Sequence, residues 1–135
     1  MNLNQDCPCN SNKTYGACCY DFHSGKSPAS SAEALMRSRY SAYVLGISDY
    51  VVKTTHPKFR GKDFKENIKN WMNQTRWTDL EVLEVSEGLL DDEMGEVEFV
   101  AEFILDGQCQ ILHEKSTFVK YKGRWVYTEG IVSPR

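Results

Sequence analysis

Four of the five cysteines fall close together as Cys7-Pro8-Cys9 and the adjacent pair Cys18-Cys19, a C-x-C-x8-C-C pattern. Thiolates are soft ligands, and four that converge from two short segments suit tetrahedral zinc. Pro8 restricts the first segment. Lys13 and Lys26 are placed to offset part of the excess negative charge that four thiolates leave around one Zn2+. The same pattern also admits two disulfides, a redox-active Cys-x-Cys pair, or thiols with no ligand. Stable disulfides are disfavoured in a reducing compartment, and redox pairs usually sit in a thioredoxin-like βαβ pattern that this sequence lacks. With thiolate at all four positions no site stays open for water, so the expected cofactor is one structural Zn2+ per chain. His23, four residues beyond Cys19, is an alternative ligand, but beside four cysteines it is expected to pack or hydrogen-bond within the knuckle. Cys109 stands far away in a strand segment and reads as a small buried hydrophobe.

A second group, Arg39, Trp77, Glu114, Ser116 and Tyr127, is positioned to converge inside a folded domain. Leu112, Glu114, Ser116 and Phe118 share one face of a strand, and Trp125 and Tyr127 share a face of the next. Arg39 lies about 60° from the centre of a helical apolar stripe, taking ~100° per residue. A buried carboxylate beside an arginine can act as a base or bind a polar ligand. The simpler expectation is an Arg39–Glu114 ion pair that closes the domain, satisfied by the Tyr127 and Ser116 hydroxyls. There is no nucleophile elbow, no phosphate-cradling glycine loop and no zinc-protease helix motif, so no reaction is assigned. His56, before Pro57, and His113, which faces away from Glu114, read as ordinary loop and surface histidines.

The elements that must position these residues are legible in the periodicity. A helix is expected from Ser30, with Glu33 completing a capping box, to Gly46. Ala32, Met36, Tyr40, Tyr43 and Ile47 form its apolar stripe. Residues 48–55 read as a short helix capped by Ser48, and 63–75 as a third, with Phe64, Ile68, Trp71 and Met72 at helical spacing. From Thr78 the period becomes two, with strands expected at 78–87, 95–105, 109–121 and 124–131. Their connections are LLDDEMG, Asp106-Gly107 and Lys122-Gly123. Short turns between long strands predict an antiparallel meander. Three helices then four strands predict an α+β domain, with the helices on one face of a curved sheet.

Composition bounds the rest. Of 135 residues, 41% are hydrophobic and 26% charged, enough apolar material for one core and too much for a disordered chain. No apolar run nears the ~18 residues of a membrane span. MNLNQDCPCN has neither a basic n-region nor an apolar h-region, so the expected location is the reducing cytoplasm. The chain divides near residue 28, into a polar cysteine-rich segment, 1–28, and an ordinary globular one, 29–135. The net charge of −3 hides blocks: residues 53–77 hold seven Lys/Arg against two acids, whereas 78–106 hold eleven Asp/Glu and no Lys or Arg. Such blocks usually mark neighbouring faces that attract one another; a basic patch that recruits an acidic partner is the sharper reading.

CPCNSNKTYGACC resembles the SEC-C motif, the small zinc-binding tail first named from the SecA translocation ATPase. FHSG, ALMRSRYSAYVLG, DYVVKTTHP and HEKSTFVKYKGRWVYTEG resemble the YchJ family of bacterial proteins, so that the likeness spans nearly the whole chain. The resemblance implies a nuclear-transport-factor-2-like cone behind a zinc knuckle. Where the motif usually reads CPCGSGK, this sequence has Asn10 and Asn12 in place of the glycines. Asparagine visits left-handed backbone most readily after glycine, so the same turn is expected to survive. Some relatives carry a second SEC-C motif at the C-terminus; this sequence ends at Arg135 without one, so a function needing two knuckles is not expected. SEC-C tails are associated with protein partners of the export and translation machinery, and a protein contact through the knuckle is the implied role. A small-molecule site or enzyme in the cone is the next reading. Nucleic-acid binding through the knuckle and residues 53–77, with Trp71 and Trp77 nearby, is the third; the eleven-acid block weighs against it.

Overall fold

A computed structural model describes residues 1–133. Four helices precede four strands: α1 (Cys19–His23), α2 (Ala32–Leu45), α3 (Ser48–Lys53), α4 (Phe64–Gln74), then β1 (Thr75–Glu87), β2 (Met94–Leu105), β3 (Gln108–Tyr121) and β4 (Arg124–Ser133). The strands form one antiparallel sheet in the order β1-β2-β3-β4. Both tight turns have positive φ at their two central residues, 51° and 77° at Asp106-Gly107 and 52° and 80° at Lys122-Gly123. That is the type I′ geometry whose twist matches paired strands. Register shifts at Trp77/Asp79 and Val82/Glu84 in β1, and at Thr128 in β4 opposite Thr117/Phe118, locally increase strand twist and bend the sheet. The sheet curls far enough for α2 to touch β1, β2 and β4. This is the expected α+β arrangement.

Local chemistry moves several boundaries. The α2 cap is Ser31, not Ser30: Ser31 is extended, and its Oγ accepts a 3.0 Å bond from the Ala34 amide. Glu33 therefore sits two residues past the cap, too early for a capping box, and accepts from Arg37 Nε at 2.9 Å instead. Gly46 ends the helix with φ 75°, as its lack of Cβ allows. Ser48 does not cap α3 either; Ile47 holds that position without a side-chain bond. α4 runs straight into β1 through Thr75, whose hydroxyl donates to the Trp71 carbonyl and accepts from Trp77 Nε1. The strand thus begins three residues ahead of 78. After α3 the chain bonds along β4, with Tyr127 N donating to Thr54 O at 2.7 Å and His56 N to Tyr127 O at 2.9 Å.

The knuckle is more ordered than two bare turns. Asp6 and Thr14 form a β-bridge, and Cys7 N donates to Lys13 O. A 3-10 turn at Tyr15–Ala17 precedes α1. One apolar cluster joins Cys7, Cys9, Tyr15 and Cys19 to Leu35, Val51, Val97 and Phe118, so the two compositionally distinct segments share a core. This explains why α2 buries Ser38 and Ser41 as well as its apolar stripe: the sheet covers one side of the helix and the knuckle another. Cys109 departs from expectation. It is exposed, one residue into β3 opposite Ile104, and is no part of the core.

Candidate metal centre

The Sγ atoms of Cys7, Cys9, Cys18 and Cys19 all lie within 4.8 Å of one another. Cys9 to Cys18 is 3.7 Å, and Cys18 to Cys19 is 3.9 Å. Four sulfurs ~2.3 Å from a tetrahedral zinc stand ~3.8 Å apart, so the spacing fits such an ion. Cys7, Cys9 and Cys19 are buried and Cys18 is half-buried. Hydrogen bonds from Cys19 and Cys9 hold the Cys7 thiol far below its ordinary range, while the contact with Cys7 pushes Cys19 up and burial raises Cys18. These contacts favour ionisation of Cys7 and oppose that of Cys18 and Cys19. A divalent cation supplies the charge that lets all four ionise, so the donor set fits a metal ion.

The cluster is held from outside by residues that cysteine spacing does not reveal. Ser41 Oγ donates to Cys19 Sγ at 3.4 Å and lies 3.6 Å from Cys7 Sγ; Ser11 Oγ lies 3.2 Å from Cys18 Sγ. Arg37 donates to the Cys9 carbonyl at 2.6 Å. Lys26 turns to Asp21, at 4.0 Å, and Lys13 engages the cluster's loop through its backbone carbonyl. The cation placed against the knuckle is thus Arg37, from the body. Asn10 and Asn12 take φ of 61° and 67°, the left-handed turn expected where glycine is replaced. Asn10 does what glycine cannot: its Nδ2 donates to Asp79 Oδ1 at 2.7 Å and to Leu80 O at 3.1 Å, tying the turn to β1. His23 stays out of the cluster. Its Nδ1 meets Tyr15 Oη at 2.7 Å and its Nε2 meets Ser38 O at 2.8 Å.

Arg39, Trp77, Glu114, Ser116 and Tyr127 all line one cavity of about 240 Å³ between α2 and the sheet. The expected Arg39–Glu114 ion pair does not form among the described residues. Arg39 Nη1 turns instead to Val51 O, Thr54 Oγ1 and Thr55 Oγ1, at 2.9 to 3.0 Å. Glu114 Oε2 accepts from Ser116 Oγ and from Tyr127 Oη. Tyr127 stands between the two charges, with the Arg39 guanidinium 4.6 Å from its ring centroid. Gly130, opposite Ser116, leaves the room that the Glu114 carboxylate fills; a Cβ there would overlap it.

Residues 31–130 match the family model described as YchJ, middle NTF2-like domain. The chain belongs to the YchJ family. Residues 4–21 match the SEC-C motif and so enclose all four clustered cysteines. Among similar proteins, a UPF0225 protein of Vibrio parahaemolyticus is 45% identical over 92% of this chain and 73% of its own length. One from Geobacter sulfurreducens is 36% identical over 92% and 77%. The solution structure of a SEC-C motif containing protein from Rhodopseudomonas palustris superimposes with a TM-score of 0.85, at 41% identity over 95% of this chain and 98% of that one. A crystal structure of such a protein from Psychrobacter arcticus gives 0.79, at 34% identity over 100% and 87%.

The basic segment divides. Lys53 and Arg60 join Lys122 and Arg124 around a cleft of about 380 Å³ that Phe22 and Pro28 also line, whereas Lys65 pairs with Asp49 at 2.7 Å. No ion pair joins residues 53–77 to the acidic block 78–106 among the described residues. Trp71 and Trp77 both line the α2 cavity. His56 accepts from the Lys58 amide through Nδ1, and His113 pairs with Glu98 at 2.6 Å. Among the described residues no helix is long and apolar enough to cross a membrane.

Proposed function

We propose that the chain is an interaction module in which one structural Zn2+, held by Cys7, Cys9, Cys18 and Cys19, shapes a knuckle that binds a protein partner in the cytoplasm. The observation that carries this reading is the four-sulfur cluster itself, sized for tetrahedral thiolate coordination and braced by Ser41 and Ser11. When bound, the ion supplies charge compensation and a fixed geometry, not an open coordination site. Beyond the cluster the knuckle leaves Met1, Leu3 and Tyr20 exposed, and exposed apolar groups of this kind suit a protein contact.

Two measurements test this in sequence. Protein purified under reducing conditions should carry one zinc per chain. Only Cys109 should react with a thiol reagent before chelation, and the four cluster thiols should react after it. Cys7→Ser and Cys18→Ser should abolish metal binding and partner capture together, while Tyr20→Asp should keep the zinc and lose the partner. Zinc-free protein, or partners retained in full by the cysteine variants, would sink the proposal.

A further inference from the structure

The cavity between α2 and the sheet holds two opposite charges that do not neutralise each other, each with an unused atom. Arg39 is 8% exposed; its guanidinium lies over the Tyr127 ring, and only Nη1 makes hydrogen bonds, to Val51, Thr54 and Thr55. Among the described residues Nε and Nη2 have no hydrogen-bond partner. Trp125 Nε1 is the one fully occluded side-chain polar atom without a partner there, so the two Arg39 nitrogens are not fully occluded, and Arg39 lines this cavity. Glu114 spends Oε2 on Ser116 and Tyr127, leaving Oε1 unpaired on the same terms. Burial draws the Arg39 pKa down while Tyr43, Tyr127, Tyr50 and Glu114 favour its charge. Burial also raises Tyr43 and Tyr127, which keeps both phenols neutral. Arg39 and Glu114 are the basic and the acidic side chain that line the cavity.

The walls are aromatic, with Trp71, Trp77 and Phe99 facing Tyr40 and Tyr43. The volume equals that of about eight waters, too small for a drug-sized ligand but sufficient for one apolar group with a short polar end. A simple anion would meet Glu114, and a simple cation would meet Arg39. From this pairing we infer that the cavity binds a small amphoteric molecule of the α-amino-acid type, its anionic group on Arg39 Nε and Nη2, its ammonium on Glu114 Oε1, and its apolar body among the aromatic walls. This site is separate from the knuckle, and the inference does not depend on the metal reading.

The test uses the full metal-loaded chain, with L-phenylalanine and L-leucine as probes. Each is set beside its counterpart without the amino group and its counterpart without the carboxylate. Saturable NMR shifts of the Arg39 Nε–H and the Trp71 and Trp77 indole N–H should appear with the amino acids, and binding should weaken at least about tenfold for either counterpart. Glu114→Gln keeps the side-chain shape and its bonds to Ser116 and Tyr127, and should abolish the preference, so that the carboxylate lacking the amine binds as well as the amino acid. A folded protein with no saturable shift up to ~10 mM ligand, equal binding of the counterparts, or an unchanged preference in Glu114→Gln would each overturn the inference.

Discussion

His23 shows how one residue can be near a metal cluster and serve the fold instead. Ser38 O can only accept, so Nε2 must carry the proton; a neutral ring then accepts from Tyr15 Oη at Nδ1. Burial lowers its pKa, ahead of the opposing bond to Ser38. Because the folded value lies below the unfolded ~6.5, the unfolded chain binds a proton first as pH falls. The stability His23 contributes is thus fully present above pH ~6.5 and is lost as pH drops through the folded pKa. NMR titration of the imidazole should give a midpoint below ~6.5, and His23→Gln should flatten the stability curve in that window relative to the parent. A midpoint above it would contradict the burial argument. Asn10 makes a related point. Its left-handed backbone was legible from the glycine pattern it replaces, but its bonds to Asp79 and Leu80 were not, since β1 lies about seventy residues away.

At the scale of elements, α2 is the central support. The β1–β2 connection packs on its first turn, where Ala32 N donates to Gly88 O at 2.9 Å. A Cβ on Gly95 would stand 2.5 Å from Gly88 Cα and 3.0 Å from Ala32 Cβ, with backbone on one side and a buried methyl on the other. Gly95→Ala should therefore destabilise the chain by about 1–3 kcal/mol, the usual cost of overpacking. Urea unfolding measures this, and an unchanged midpoint would show that the loop can give way. Strand positions and both tight turns were readable from alternation and the Asp-Gly and Lys-Gly pairs, because hairpin geometry is local. Helix caps were not. Ser30 and Ser31 are equivalent as types, and what selects Ser31 is where the loop meets Gly88.

Across the whole molecule, the shared core makes the knuckle part of the domain. Cys9, Cys19 and Tyr15 pack in the same cluster as Leu35 and Phe118, and Arg37, Ser38 and Ser41 of α2 all bond to knuckle groups. Chelation should consequently lower the stability of the entire chain in one transition, not melt a terminal tail from an unaffected body. A zinc at a free concentration a hundredfold above its Kd stabilises by about 3 kcal/mol, or ~10 °C in Tm for a domain of this size. Scanning calorimetry with and without chelator checks this. A second transition left at the parent temperature would show that the knuckle is energetically separate.

By itself the sequence determined what depends on residues close along the chain: the four-cysteine pattern, the left-handed turns at Asn10 and Asn12, the meander and the α+β order. Helix and strand period also grouped Arg39, Glu114, Ser116 and Tyr127, with Trp77 beside them, as candidates for one pocket. Only the tertiary structure decided what those residues meet. Arg39 finds the end of α3 before it can reach Glu114, because Val51, Thr54 and Thr55 offer three acceptors at bonding distance while Tyr127 stands between the charges. Cys109 lies outside the core because it falls in the exposed start of β3, beside the tight turn. Long-range packing assigns partners among groups whose types alone would allow several.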